Sequence, residues 1–211
     1  EPEGVVVAPN GNVYVADTGN NRISVFEPAA QPRSIKAIVL AGGGPYPGNR
    51  LWPATQMVSN LAFRSLRYQG FLKDQVRYLT SDTHQDLDEN GQFDDLLEAT
   101  KEKLRTSITD WAADAEQLLI CLMDHGGQGT FTINGTDGDD GMLHAQELAS
   151  WLEDHPAREI VVIIDACFSG SFIETLAGQG RVVLTSTAPE EKANYGDSGS
   201  ISFSNLSWAP V

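Results

Sequence analysis

The sequence predicts an α/β fold: a three-layer sandwich whose mostly parallel sheet of about six strands carries helices on both faces, preceded by a short β-ribbon. Three observations carry this prediction. Runs such as Ile160-Val161-Val162-Ile163 are aliphatic without alternation, as strands buried on both faces are. Segments of helical spacing or composition separate these runs, the pattern of right-handed crossovers in a parallel sheet. The first 28 residues differ, being short strands joined by Asn and Gly turns.

In chain order, Gly4-Val5-Val6-Val7-Ala8-Pro9-Asn10-Gly11-Asn12-Val13-Tyr14-Val15-Ala16-Asp17 reads as strand, Asn-Gly turn and strand. Arg22-Ile23-Ser24-Val25-Phe26 adds a third strand after the Gly19-Asn20-Asn21 turn. Residues 1–28 are thus a β-repeat fragment, 29–34 a linker containing Pro32, and 35–211 the main domain. Within that domain the strands are expected at 35–40, 75–79, 117–123, 159–164, 181–186 and, more weakly patterned, 200–203. Helical spacing or composition occupies 53–69, 99–113, 145–154 and 170–176.

A chain of 211 residues is long enough for one α/β domain with a sizeable core and a short appendage. The net charge of -15 argues against nucleic acid or an anionic membrane as partner and makes cations the natural company. No apolar run approaches the roughly 18 residues of a membrane span. With only Cys121 and Cys167, a disulfide framework is not expected and neither an oxidising nor a reducing compartment is indicated. The opening Glu1-Pro2-Glu3, without an initiator Met or a signal-peptide pattern, is what a segment cut from a longer polypeptide shows. Location therefore cannot be read from it, a secreted or cell-surface setting being the one favoured.

Two segments concentrate the chemistry. Met123-Asp124-His125-Gly126-Gly127 follows Gln117-Leu118-Leu119-Ile120-Cys121-Leu122, and Ile164-Asp165-Ala166-Cys167-Phe168-Ser169-Gly170 follows Ile160-Val161-Val162-Ile163. Each places a reactive side chain where β-formers stop and glycine begins. Ligands of open α/β sheets bind beyond the carboxyl ends of the strands, so His125 and Cys167 are expected to face one crevice. A thiolate nucleophile needs deprotonation, oxyanion donors and an acid for the leaving group. A helical segment at 168–176 would lower the thiol pKa, the backbone N–H groups of Gly126 and Cys167 would hold the oxyanion, and His125 would protonate the leaving amine.

The pairing of His-Gly with Asp-Ala-Cys, each after a hydrophobic strand, resembles the caspase-fold cysteine peptidases, above all the legumain-like branch, from about Ile35 onward. The caspase signature Gln-Ala-Cys-[Arg/Gln/Gly]-Gly, with its His about 50 residues upstream, is not met. Here Asp165 replaces the Gln, and His125 lies 42 residues before Cys167. The resemblance implies a caspase-like fold, Cys167 as nucleophile, His125 as general acid/base, Asn49 orienting the His and Arg50 lining the primary specificity pocket. It also implies that Asp165 and Asp197 line that pocket. Two carboxylates there favour Arg or Lys at P1; an inward Arg50 neutralising one of them favours Asn. Ser200-Ile201-Ser202-Phe203-Ser204, with Ser202 at its centre, is expected to run beside an extended peptide as an added strand. In the N-terminal part, Gly11 to Ile23 resembles one NHL-type β-propeller repeat. One blade cannot close a propeller, so either other blades precede this segment or the repeat packs as a ribbon on the main domain.

Asp86, Asp88, Asn90 and Gly91 fit the first half of an EF-hand loop and Asp94 its ninth position, while Leu97 stands where the loop requires Glu. Calcium is the cofactor such a loop would take; the chemistry itself requires none. Asn134-Gly135-Thr136-Asp137-Gly138-Asp139-Asp140-Gly141 is a second acidic loop of poorer spacing, and His84, His144 and His155 lack zinc-site spacing. The leading expectation is a cysteine endopeptidase acting on protein or peptide. The alternative is a catalytically inactive peptide-binding or calcium-stabilised module attached to a β-propeller. Oligomeric state leaves no mark in the sequence.

Overall fold

The computed structural model describes residues 34–193 throughout and, before them, three strands, Pro2–Val7 (β1), Val13–Asp17 (β2) and Arg22–Phe26 (β3). The chain divides into two compact units, Glu1–Arg33 and Ser34–Val211. In the first unit β1, β2 and β3 form an antiparallel sheet in sequence order, with Val7 opposite Val13 and Val13 opposite Phe26.

In the second unit the aliphatic runs pair as one parallel sheet. Its strands are Ile35–Ala41 (β4), Val76–Thr80 (β5), Leu97–Glu98 (β6), Gln117–Met123 (β7), and, later in the chain, Glu159–Asp165 (β11) and Arg181–Thr185 (β12). Their order is β12-β11-β7-β4-β5-β6. Between β7 and β11 lie three short strands, Gly126–Gly127 (β8), Thr130–Thr132 (β9) and Met142–His144 (β10), paired antiparallel in a separate sheet. The helices are Trp52–Tyr68 (α1), Lys101–Thr106 (α2), Ala145–Glu153 (α3) and Ile173–Leu176 (α4).

The absence of alternation in the central strands now has its cause: both of their faces are covered, while Val182 and Leu184 of the edge strand β12 stand exposed. Ala37, Val39, Cys121, Met123 and Ile163 pack with Val58, Ala62, Phe63 and Leu66 of α1. Ile38, Leu40, Ile120, Leu122, Val162 and Ile164 pack on the other face with Leu104 of α2, Leu148 and Leu152 of α3, and Leu176 of α4. Each such aliphatic side chain contributes roughly 1.5–3 kcal/mol by leaving water, which anchors the central strands and the loops that follow them.

Four differences from the sequence expectation stand out. The sixth strand of the described sheet is β6, whose two residues are too few to carry a period; the strand expected at 200–203 lies outside the described residues. The helix expected at 99–113 is α2, capped by the Thr100 hydroxyl accepting from Lys103 N–H at 3.1 Å, and it widens into a π-helical turn over Ser107–Trp111. The helix expected at 170–176 is a 3-10 turn, Ser169–Phe172, leading into the four residues of α4. So short an element carries little macrodipole, which weakens the expected helix-end effect on the thiol. Finally, β8 to β10, at two or three residues each, are too short to carry a period, and Gly126-Gly127 has little β-propensity besides. No described helix is long and apolar enough to cross a membrane.

Candidate active site

Strands β7 and β11 are neighbours, in register from Glu159 opposite Gln117 to Asp165 opposite Met123. Asp124 N–H donates to the Asp165 carbonyl at 3.2 Å, so the two chains stay together one residue further. His125 and Cys167 come next, each two residues past that last register pair, on strands about 4.8 Å apart. The closeness persists at Gly126. A Cβ placed there would lie 2.4 Å from the Cys167 carbonyl oxygen and 2.9 Å from Ala166 Cβ, so only glycine fits.

The chain leaves Cys167 through Phe168, held at φ 57° in the left-handed region that costs a bulky residue roughly 1 kcal/mol or more. Ser171 ties this turn to the segment after His125: its Oγ accepts from Gly129 N–H at 2.8 Å and donates to the Phe168 carbonyl at 2.6 Å. Cys167 is half-buried, whereas Cys121 is sealed in the core, where burial pushes its thiol well above the usual range.

The orientation of His125 is readable from its neighbours. Asn49 Nδ2 donates to the Gly44 carbonyl at 2.8 Å, and Asn49 Oδ1 accepts from Leu51 N–H at 3.0 Å. That pattern makes Oδ1 the atom facing His125 Nε2 at 3.3 Å, so Nε2 is the ring nitrogen assigned the proton and Nδ1 keeps a free lone pair. Burial pushes the imidazole below its usual range, which keeps it neutral near pH 7.

Two carboxyls flank the pair. Asp124 Oδ1 is 3.7 Å from His125 Nε2. Burial pushes Asp124 up to about 8, so at neutrality this approach joins two uncharged groups and is no ion pair at rest. Asp165, next to Asp124 across the strands but on the α1 face with Met123, is raised to about 6, chiefly by burial and against the opposing pull of Ser186. None of the four carboxyl oxygens makes a hydrogen bond of ordinary geometry among the described residues.

Two backbone donors have no acceptor among the described residues. Thr132 N–H donates to the His125 carbonyl at 2.9 Å, which makes Gly126 and Phe131 a non-hydrogen-bonded pair and turns Gly126 N–H away from β9. Cys167 N–H has no acceptor among the described residues. Beside His125 a cleft of about 500 Å³ is lined by Tyr46, Gly48, Asn49, Arg50, Leu51 and Ala54. Arg50 is exposed in it and forms no ion pair with Asp165. Asp197 and Ser202 lie outside the described residues.

The acidic loop brings Asp86, Asp88 and Asp94 together, with one carboxylate oxygen of each within 4.8 Å of the others. Lys73 supplies a positive partner, its Nζ 2.6 Å from Asp88 and 2.8 Å from the buried Asp94. Asp86 accepts from Asn90 and Gly91 N–H, and Asn90 Oδ1 accepts from Gln92 N–H at 2.9 Å.

Sequence reasoning missed Asp124, Phe168 and Ser171. A carboxylate inside an otherwise apolar strand end is a signal for the first; the other two are legible only once the loops are in place.

A thiol and an imidazole just beyond adjacent carboxyl ends of a parallel sheet, with backbone donors beside them that have no acceptor among the described residues, form an arrangement capable of nucleophilic acyl transfer. The peptidase C13 family model matches residues 83–206, more than half of the chain, and the chain belongs to that family, the legumain-like cysteine peptidases. An NHL repeat model matches residues 1–26. Among solved structures, caspase-1 from Spodoptera frugiperda aligns with 14% identity and a TM-score of 0.54 over 85% of this chain and 73% of its own, a likeness of fold. No curated protein sequence matches the chain.

Proposed function

We propose that the chain is a cysteine endopeptidase that cleaves peptide bonds by acyl transfer, with Cys167 as nucleophile and His125 as general acid/base. The observation that supports this is the β7–β11 register, whose last pair, Met123 opposite Asp165, stands two residues before His125 and two before Cys167. His125 Nδ1, free because Asn49 engages Nε2, accepts the Cys167 thiol proton. The thiolate attacks the substrate carbonyl carbon, and the Gly126 and Cys167 N–H groups receive the oxyanion. The C–N bond then breaks as the imidazolium returns its proton to the amine, and water with His125 as base hydrolyses the thioester.

The proposed P1 residue is Arg or Lys, with Asn the second choice. Asp165 supports this order, because a buried carboxyl with no cationic partner among the described residues is satisfied by a cation, and Arg50 does not neutralise it. Fluorogenic peptides differing only at P1 (Arg, Lys, Asn, Asp), assayed with wild type and Cys167→Ala, test both parts. Cleavage after Arg and Lys that disappears in Cys167→Ala is expected. Preference for Asp would overturn the pocket argument, and turnover that survives Cys167→Ala would overturn the mechanism.

A further inference from the structure

Asp124 has no part in the acyl-transfer scheme, yet the fold makes room for it at a cost. Its side chain is fully buried, and neither carboxyl oxygen has a hydrogen-bond partner among the described residues. An orphaned carboxyl in a dry site is unfavourable whichever form it takes, and replacing it by an apolar group would relieve the strand end. The neighbouring backbone is shaped around it. A Cβ on Gly43 would fall 1.8 Å from Asp124 Oδ2 and one on Gly42 would fall 2.9 Å from Asp124 Cβ, so two successive glycines after β4 form its cradle. Its Oδ1 approaches the edge of His125 that carries the Nε2 proton, at 3.7 Å, where Asn49 Oδ1 also stands at 3.3 Å from that nitrogen.

Resting on the cysteine-peptidase reading, we propose that Asp124 is a positioning residue for His125, its carboxylate taking the Nε2–H hydrogen bond when the ring becomes an imidazolium. Two acceptors thus share one N–H. Asn49 holds the neutral ring, and a slight rotation hands the same proton's bond to Asp124 when the ring is charged. No proton passes through Asp124: the thiol proton goes to Nδ1 and later to the leaving amine, and Nε2 keeps its own. The working form has Asp124 ionised, its proton having gone to solvent as pH rises.

The surroundings leave this pair isolated. Gly42 and Gly43 from the loop after β4 and the Thr132 main chain from β9 are uncharged. Asp165 on β11 faces the opposite side of the sheet, and Arg50 stands exposed in the cleft beside His125 and makes no ion pair with Asp124. His125 is therefore the charged partner through which ionisation of Asp124 would act. Burial that holds the carboxyl protonated to about pH 8 is what makes its ionisation visible in a rate profile.

The test is Asp124→Asn, which keeps the shape and removes the charge. Expected are a 10- to 100-fold fall in kcat above about pH 8, where the wild-type carboxyl is ionised, with KM unchanged, loss of the alkaline rise in kcat/KM, slower iodoacetamide alkylation of Cys167 in the same alkaline range, and an unchanged or higher melting temperature. Wild-type kcat and profile in the variant would overturn the proposal. So would a fall in kcat that comes with a lowered melting temperature and an unaltered profile, because that is the mark of a merely structural residue. Should the wild type cleave none of the peptides, the peptidase reading fails by itself. The alkylation profile of Cys167 in the two proteins would still report whether Asp124 supports the charged imidazole.

Discussion

Replacing Gly126 by Ala puts one methyl group between the loops that carry His125 and Cys167, the proposed catalytic pair. The added carbon would sit 2.4 Å from the Cys167 carbonyl oxygen, roughly 0.6 Å inside the closest approach such atoms make. Gly126 is not in the left-handed region, so the substitution brings steric displacement without backbone strain. Relief requires the turn at Cys167 to retreat from β8 by that distance, and the Ala166 methyl at 2.9 Å closes the other way out. A misplacement approaching 1 Å at a reacting centre costs up to about 100-fold. We therefore expect kcat to fall 10- to 100-fold, equivalent to about 1.4–2.7 kcal/mol of barrier. Overpacking should lower stability by about 1–3 kcal/mol, too little to unfold a typical domain. Steady-state kinetics on the preferred fluorogenic peptide, iodoacetamide labelling of Cys167 and a urea melt measure the three effects. Gly178→Ala is the control, since its Cβ meets nothing nearer than the flexible Arg181 side chain at 3.3 Å. A Gly126→Ala enzyme with kcat within twofold of wild type would refute the idea that the loops touch at this point.

Asn49→Ala should lower kcat by one to two orders of magnitude with little change in KM, because the ring loses the acceptor that keeps Nδ1 free; unchanged kcat would show that His125 is held otherwise. Iodoacetamide should label Cys167 at least 100-fold faster than the sealed Cys121, read by peptide mass mapping, and equal slow labelling would favour an inactive binding module. The raised Asp124 and Asp165 carboxyls bind protons more tightly folded than unfolded, so their contribution is greatest below about pH 4 and is lost as pH climbs through about 6 and then about 8. Urea melts should accordingly show Asp124→Asn gaining on wild type by a few kcal/mol between pH 5 and pH 8.5, and a constant difference would contradict this. Since Lys73 already neutralises Asp88 and Asp94, chelation should leave the wild-type melting temperature unmoved, whereas Lys73→Met should become stabilised by added calcium; a chelator-sensitive wild type would mean that the loop holds an ion.

What the sequence determined by itself was the sheet and the two strand ends. Residues 118–123 and 160–164 are apolar at successive positions, a pattern stable only between two covered faces, and the break into His125-Gly126 and Cys167-Phe168 ends both strands at the proposed site. The helix on α1 was legible for the same local reason, its buried residues Val58, Ala62 and Leu66 recurring on one face. Tertiary structure decided everything that depends on distance across the chain. Leu97–Glu98 is a strand because β5 offers it an edge, and Gly126-Gly127 is one because β9 does. Asp124 became a carboxyl of interest only when Gly42 and Gly43, 81 or more positions earlier, closed over it beside the imidazole. Local residue types state what a segment can bury; which groups are left dry and unpaired is settled by the neighbours that packing brings, and those neighbours carry no local signal.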